Sequence, residues 1–257
     1  MIARLADGAR LFVCAVQFLT RLPTPRLKAW PEDAVTRSAV YYPIVGWIVG
    51  GLAALVLLAA DRFWPPLVGA ALSTVVAVAI TGGFHEDGLA DAADGLVGGS
   101  TRPRRLEIMK DSRIGSYGAL ALWSVLSLRT LALAALPSDK AGLALVLVHG
   151  AARAFPVAVM TLPYAGDPAR AKLGADIGER RVRPWQAALA VFLGFAAFAL
   201  VPLPQACAAL ALAFAAAAGV GFAGWKLVGG WTGDVLGAIE QVAEAALILG
   251  LAASLPS

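Results

Sequence analysis

The sequence predicts an all-α, polytopic integral membrane bundle of about seven spanning helices, with an N-terminal helix that is interfacial or partly inserted. Three observations predict it. Of the 257 residues, 59% are hydrophobic and 15% charged, against about 25% charged in soluble domains. The apolar residues come in runs close to the ~20 needed to cross ~30 Å of hydrocarbon, not in amphipathic stripes. The basic residues also segregate: alternate connections carry 17 Lys and Arg, the opposite set only Arg62 and Lys140. That asymmetry is the charge bias that orients membrane proteins.

Residues 8–22 form the expected interfacial helix. Their apolar centre is flanked by Arg4, Arg10 and Arg21, with no small-residue cleavage site of a signal peptide. Spans are expected at roughly 40–60, 66–84, 116–136, 139–162, 185–201, 205–223 and 234–253. Pro65-Pro66, Pro137 and Pro202 to Pro204 mark turns between them, where proline ends a helix at little cost. With the N-terminus inside, the long loops 85–115 and 163–184 fall on the cytoplasmic side. Their charges include Arg170, Lys172, Arg180, Arg181 and Arg183, joined on that side by Arg21, Arg26, Lys28 and Arg37. Residues 1–257 read as one membrane-embedded domain. Cys14 and Cys207 lie in apolar segments without metal spacing and read as small buried residues. A net charge of +4 is modest for a nucleic-acid binder, and none is expected.

The conspicuous polar feature is Gly82-Gly83-Phe84-His85-Glu86-Asp87-Gly88-Leu89-Ala90-Asp91-Ala92-Ala93-Asp94-Gly95. Asp87, Asp91 and Asp94 are spaced i, i+4, i+7 and so share one side of a helix. Three neighbouring carboxylates repel unless a cation sits among them. Oxygen-only donors favour Mg²⁺ or Mn²⁺. Gly83, Gly88 and Gly95 allow close approach of a phosphate or a neighbouring backbone. His85 is a candidate general base or a group orienting one of the acids, and Glu86 joins the acid–base candidates. The bland alternative is a solvated acidic loop bridged to Arg102, Arg104 and Arg105.

Downstream, Lys110 and Arg113 are spaced to contact phosphate oxygens, or are flanking charges set by topology alone. Asp111 is a further candidate metal ligand. A second constellation, Gly229-Gly230-Trp231-Thr232-Gly233-Asp234, precedes Glu240 and Glu244. Arg129, His149 and Arg153 are their available intramembrane partners. Such acids mark function or a structural ion-pair network. Asp234 is the member expected to face the reaction, and Arg153 is a candidate phosphate ligand.

Five segments carry a family resemblance: Gln17 to Pro23, Tyr42 to Gly46, Gly82 to Gly95, Met109 to Gly115 and Gly230 to Asp234. Together, in this order over nearly the whole chain, they resemble the cobalamin synthase (adenosylcobinamide-GDP ribazoletransferase) family. The resemblance implies a bacterial inner-membrane enzyme with its site facing the cytoplasm. It implies that a hydroxyl of α-ribazole, or of its 5′-phosphate, displaces GMP from adenosylcobinamide-GDP with Mg²⁺ required. Asp87, Asp91 and Asp94, joined by Asp111, would then hold the metal, and Lys110, Arg113 and Arg153 the phosphates. Beyond these substrates the expected partner is the lipid bilayer, with a homo-oligomer or a complex with other corrinoid enzymes left open. The rivals are a CDP-alcohol phosphotransferase, whose Asp-Gly-x-x-Ala-Arg element is absent here, and an ion or metal transporter.

Overall fold

The computed structural model describes residues 2–25, 27, 33–165 and 181–253. The loop charges Arg26, Lys28, Arg170, Lys172 and Arg180 lie outside the described residues, as does the side chain of Arg4. The fold is all-α. Its helices are α1 (Ile2–Leu19), α2 (Ala34–Ser38), α3 (Tyr42–Ala60), α4 (Pro66–Thr81), α5 (Phe84–Gly98), α6 (Arg102–Ile108) and α7 (Ser116–Ala134). Then come α8 (Ser138–Ala152), α9 (Ala154–Val159), α10 (Pro184–Ala196), α11 (Leu203–Val228) and α12 (Gly233–Leu251). Pro66, Pro184 and the Leu203-Pro204 pair open α4, α10 and α11, where the missing N–H costs nothing.

Among the described residues four helical segments are long and apolar enough to cross a membrane, or five if one bent pair counts as a span. This is fewer than the seven expected, and the sequence supplies the reasons. The 66–84 segment stops at Thr81, because Gly82 and Gly83 both take positive φ (69° and 70°). That left-handed pair favours glycine, and α5 leaves at 90° to α4. The 185–201 segment folds as the short α10 and a 3-10 turn. Helix α12 carries three acids, Asp234, Glu240 and Glu244. The N-terminal helix begins earlier than residue 8 and ends at Leu19.

The expected loop 85–115 is mostly helix, α5 and α6. Buried at the centre is α12, packed on α5, α7, α8, α9 and α11. Helix α3 lies along α8, where side chains at Gly46 and Gly50 would collide with the carbonyls of His149 and Leu145. Small residues four apart let helix backbones approach without a driving force from water. The outward faces are apolar and exposed, as at Leu55, Trp123, Phe192 and Phe214. Cys14 is buried, whereas Cys207 is exposed on the outer side of α11, a correction to its expected burial.

Candidate active site

Helix α5 has two chemically different sides. Asp87 is exposed and Asp91 half-buried. His85 and Glu86, expected to work beside them, instead face the protein interior at 5% and 8% exposure. The 100° step per residue explains the division, since positions 85 and 86 cannot share the side of 87 and 91.

Asp94 is also turned away from the cation site expected of it. Its carboxylate is buried and accepts from the N–H groups of Gly115 (2.7 Å) and Gly118 (2.9 Å). They are the N–H groups of the N-cap of α7 and of its third residue, and the N-cap, Gly115, has no side chain to accept from the helix. Asp94 therefore caps α7 from a neighbouring helix, where a carboxylate also meets the positive end of the helix dipole. The absence of side chains at Gly115 and Gly118 makes room, because a methyl at either would collide with that carboxylate. Gly95 similarly receives Met109 and the carbonyl of Arg105, packing α6 onto α5.

Gly88 brings α5 against the start of α12. A methyl on it would sit 3.2 Å from the Asp234 carbonyl and 3.2 Å from the Gly237 Cα. Asp234 thus stands beside the turn of α5 that carries Asp87 and Asp91. The segment before it holds it there. Gly229 (φ 89°) ends α11, Trp231 Nε1 donates to the Leu162 carbonyl (2.8 Å), and Thr232 caps α12 by accepting from the Val235 N–H (3.2 Å). Gly83, expected to approach a phosphate, has open space where its side chain would be.

The alternative of acids bridged to Arg102, Arg104 and Arg105 does not describe how those arginines bond. Arg102 donates to the Val228 carbonyl (2.7 Å) and the Ala165 carbonyl (3.2 Å), closing the C-terminus of α11. Arg104 pairs with Glu107 at 2.7 Å, and Arg105 donates to the Leu96 and Ser100 carbonyls. Lys110 and Arg113 are exposed on the loop between α6 and α7. Arg113 folds back on Asp111 (2.7 Å). Its hydrogen bonds pull the Asp111 carboxyl down to about 2.

Among the described residues, no three His, Cys, Asp or Glu side chains stand close enough together to hold a metal ion. A protein-only cage is therefore absent there. Two carboxylates on an open face still suit Mg²⁺, which is commonly held by one or two carboxylates together with substrate phosphates. Asp87 and Asp91 fit that role; Asp94 does not, and Asp111 lies in its pair with Arg113.

The interior side of α5 belongs to a buried polar network. Arg153 lies 3.0 Å from Glu240, and Arg129 lies 2.8 Å from Glu244. Gln241 donates to Glu86 and to Glu240, both at 3.0 Å, and accepts from Arg129. His149 approaches Glu244 (3.2 Å), and His85 approaches Glu240 (3.7 Å). Arg153, expected on phosphate, is 2% exposed and committed here. Sequence reading paired Glu240 and Glu244 with these cations but missed Gln241, whose amide ties α12 to α5. A lone Gln in an apolar helix was the available signal.

Comparisons with known proteins fall in line with these elements. Residues 11–252 match the family described as Cobalamin-5-phosphate synthase. A protein of Leptothrix cholodnii named adenosylcobinamide-GDP ribazoletransferase is 46% identical over 96% of this chain and 97% of its own length. Proteins of the same name from Ralstonia nicotianae and Polaromonas naphthalenivorans are 39% and 41% identical, covering 95% and 96% of this chain and 95% and 98% of their own. No solved structure matches.

Proposed function

From the premise that this chain belongs to the cobalamin-5-phosphate synthase family, and is thus a multi-pass membrane transferase of cobalamin synthesis, we propose the reaction and its site. The acceptor is α-ribazole or its 5′-phosphate, and the donor is adenosylcobinamide-GDP, the substrate in its relatives' name. A ribazole hydroxyl oxygen forms a bond to the cobinamide-linked phosphorus. The bond from that phosphorus to the GMP oxygen breaks, and the hydroxyl proton passes to a base. The observation that carries this reading is the placing of Asp87, exposed, and Asp91, half-buried, on the side of α5 that also meets the N-terminus of α12 through Gly88.

Mg²⁺ held by Asp87 and Asp91 would neutralise the pyrophosphate and stabilise the leaving oxygen. The start of α12 presents the positive end of a helix dipole, a setting suited to phosphate. Lys110 and Arg113 on the α6–α7 loop supply further cations, Arg113 by exchanging Asp111 for a phosphate oxygen. Asp94 keeps that loop against α5. The basic bias of alternate loops supports a cytoplasmic placement of the site in the bacterial inner membrane, where GMP is released into the cytoplasm.

The test is GMP release from adenosylcobinamide-GDP by the purified protein, with and without α-ribazole and Mg²⁺. Release that needs both is expected. Turnover of CDP-diacylglycerol in its place would overturn the proposal in favour of a phospholipid enzyme.

A further inference from the structure

A second opening lies away from the acidic pair. A cleft of about 810 Å³ lies between α1, α2 and the entry to α10, within the 300–1,000 Å³ typical of ligand sites. It is lined by Arg37, Arg181 and Arg183, with Tyr41, Trp185 and Gln186. Arg37 is held in place by Asp7 and by Asp33 at 3.5 Å. Gln186 is buried, accepts from the Arg183 N–H (3.1 Å) and donates to the Arg37 carbonyl (3.5 Å). The two walls of the cleft are therefore fixed to each other. Among the described lining residues, Asp7 and Asp33 stand against Arg37, Arg181 and Arg183, leaving one net positive charge.

The cleft residues of α1, Asp7, Gly8 and Leu11, lie 8–12 residues before Leu19 at the end of that helix, about 12–18 Å at 1.5 Å per residue. None of the residues lining the cleft is among those assigned to the acidic pair and its phosphates. The continuation of the cleft says what else it suits. Trp185, Leu189 and Phe192 are spaced i, i+4, i+7 along α10 and are 58%, 40% and 66% exposed. They form an apolar stripe running from the arginines into the region of lipid-facing side chains. A guanidinium pair favours phosphate oxygens, an exposed Trp beside it sits at headgroup level, and the stripe offers a path for an acyl chain.

We propose that this cleft binds an anionic phospholipid, its headgroup phosphate on Arg181 and Arg183 and one acyl chain along Trp185, Leu189 and Phe192. The site is separate from the transferase centre and does not depend on the reaction assigned to it.

Native mass spectrometry of the detergent-purified full chain with phosphatidylglycerol or phosphatidylcholine tests the proposal. Wild type should retain phosphatidylglycerol over phosphatidylcholine. The variant Arg181→Gln with Arg183→Gln should bind it at least about tenfold more weakly, while Arg104→Gln with Lys226→Gln, an equal loss of charge elsewhere, should not. Leu189→Asn with Phe192→Ala should also weaken retention, and remains informative if the arginine variant misfolds. Equal retention by wild type and the cleft variants, or equal retention of the two lipids, overturns the proposal. Displacement of the lipid by millimolar GMP or inorganic phosphate also overturns it, because the cleft would then serve a soluble phosphate.

Discussion

Asp94→Asn separates two roles that the spacing of the acids made look identical. In the structure the Asp94 carboxylate accepts two backbone hydrogen bonds, at 2.7 and 2.9 Å. The amide of Asn can accept only one of them and points its own N–H₂ at the other donor. Hydrogen bonds to charged groups contribute about 1.5–3 kcal/mol each. Losing one, and leaving a buried N–H against a donor, should cost about 3 kcal/mol. For a chain of this length that is a fall of roughly 6–12 °C in the unfolding temperature. The assay is thermal unfolding in detergent followed by size exclusion, alongside the Mg²⁺ concentration giving half-maximal GMP release. The variant should unfold early yet keep the wild-type Mg²⁺ dependence in the fraction that remains folded. An unchanged unfolding temperature with a raised Mg²⁺ requirement would show that Asp94 holds the metal and that the cap is incidental.

Asp91→Asn should do the reverse, lowering Mg²⁺-dependent GMP release at least about 100-fold while lowering the unfolding temperature less than Asp94→Asn does. Gly118→Ala places a methyl against the Asp94 carboxylate and 2.9 Å from the Ala90 carbonyl; a loss of about 1–3 kcal/mol is expected, read as the same early unfolding. Arg153→Met leaves Glu240 without its nearest cation and should cost about 3–5 kcal/mol; adding Glu240→Gln should restore part of it, measured by denaturant titration of the single and double variants. The Asp111 carboxyl, pulled down from 3.8 to about 2 by Arg113, keeps its charge through mild acid. Because the folded value is the lower one, the pair is complete above pH about 4 and is lost as pH falls through about 2. A carboxyl ¹³C titration should show that midpoint, and Arg113→Gln should raise it.

The fold class and the placement of most helices were legible because their signals are local. Apolar runs, the prolines before α4, α8 and α11, and the basic loops each act within a turn or two of chain. The bend between α4 and α5 was less so. Gly82-Gly83 reads equally as a phosphate-binding loop and as a left-handed corner, and only the partner geometry decides between them. The site shows the same limit more sharply. Helical spacing placed Asp87, Asp91 and Asp94 on one side of α5, within about 60° by ideal geometry. What a carboxylate does within that arc depends on its neighbours. Asp94 meets the start of α7, a contact across 21 residues of sequence to Gly115, while Asp87 meets open space. Nothing in the 84–98 segment alone distinguishes them.

The division of α5 also explains how so costly a buried network can coexist with the phosphoryl site proposed above. Three acids, Glu86, Glu240 and Glu244, share the interior with Arg129 and Arg153, and such pairs are weak evidence for stability on their own. Their geometric effect is clearer. Glu86 ties α5 to Arg129 of α7 and, through Gln241, to α12, at the level where Gly88 and Gly237 bring the two backbones together. An apolar contact could slide at such a glycine crossing, because small residues offer little side-chain interlock. Directional bonds from Glu86, Gln241 and Arg129 fix the register, and with it the position of Asp234 beside Asp87 and Asp91. On this argument Gln241→Leu, which removes the link without leaving a charge unpaired at its own position, should weaken GMP release more than it lowers the unfolding temperature. A proportional loss of both would reduce the network to a support for the fold alone.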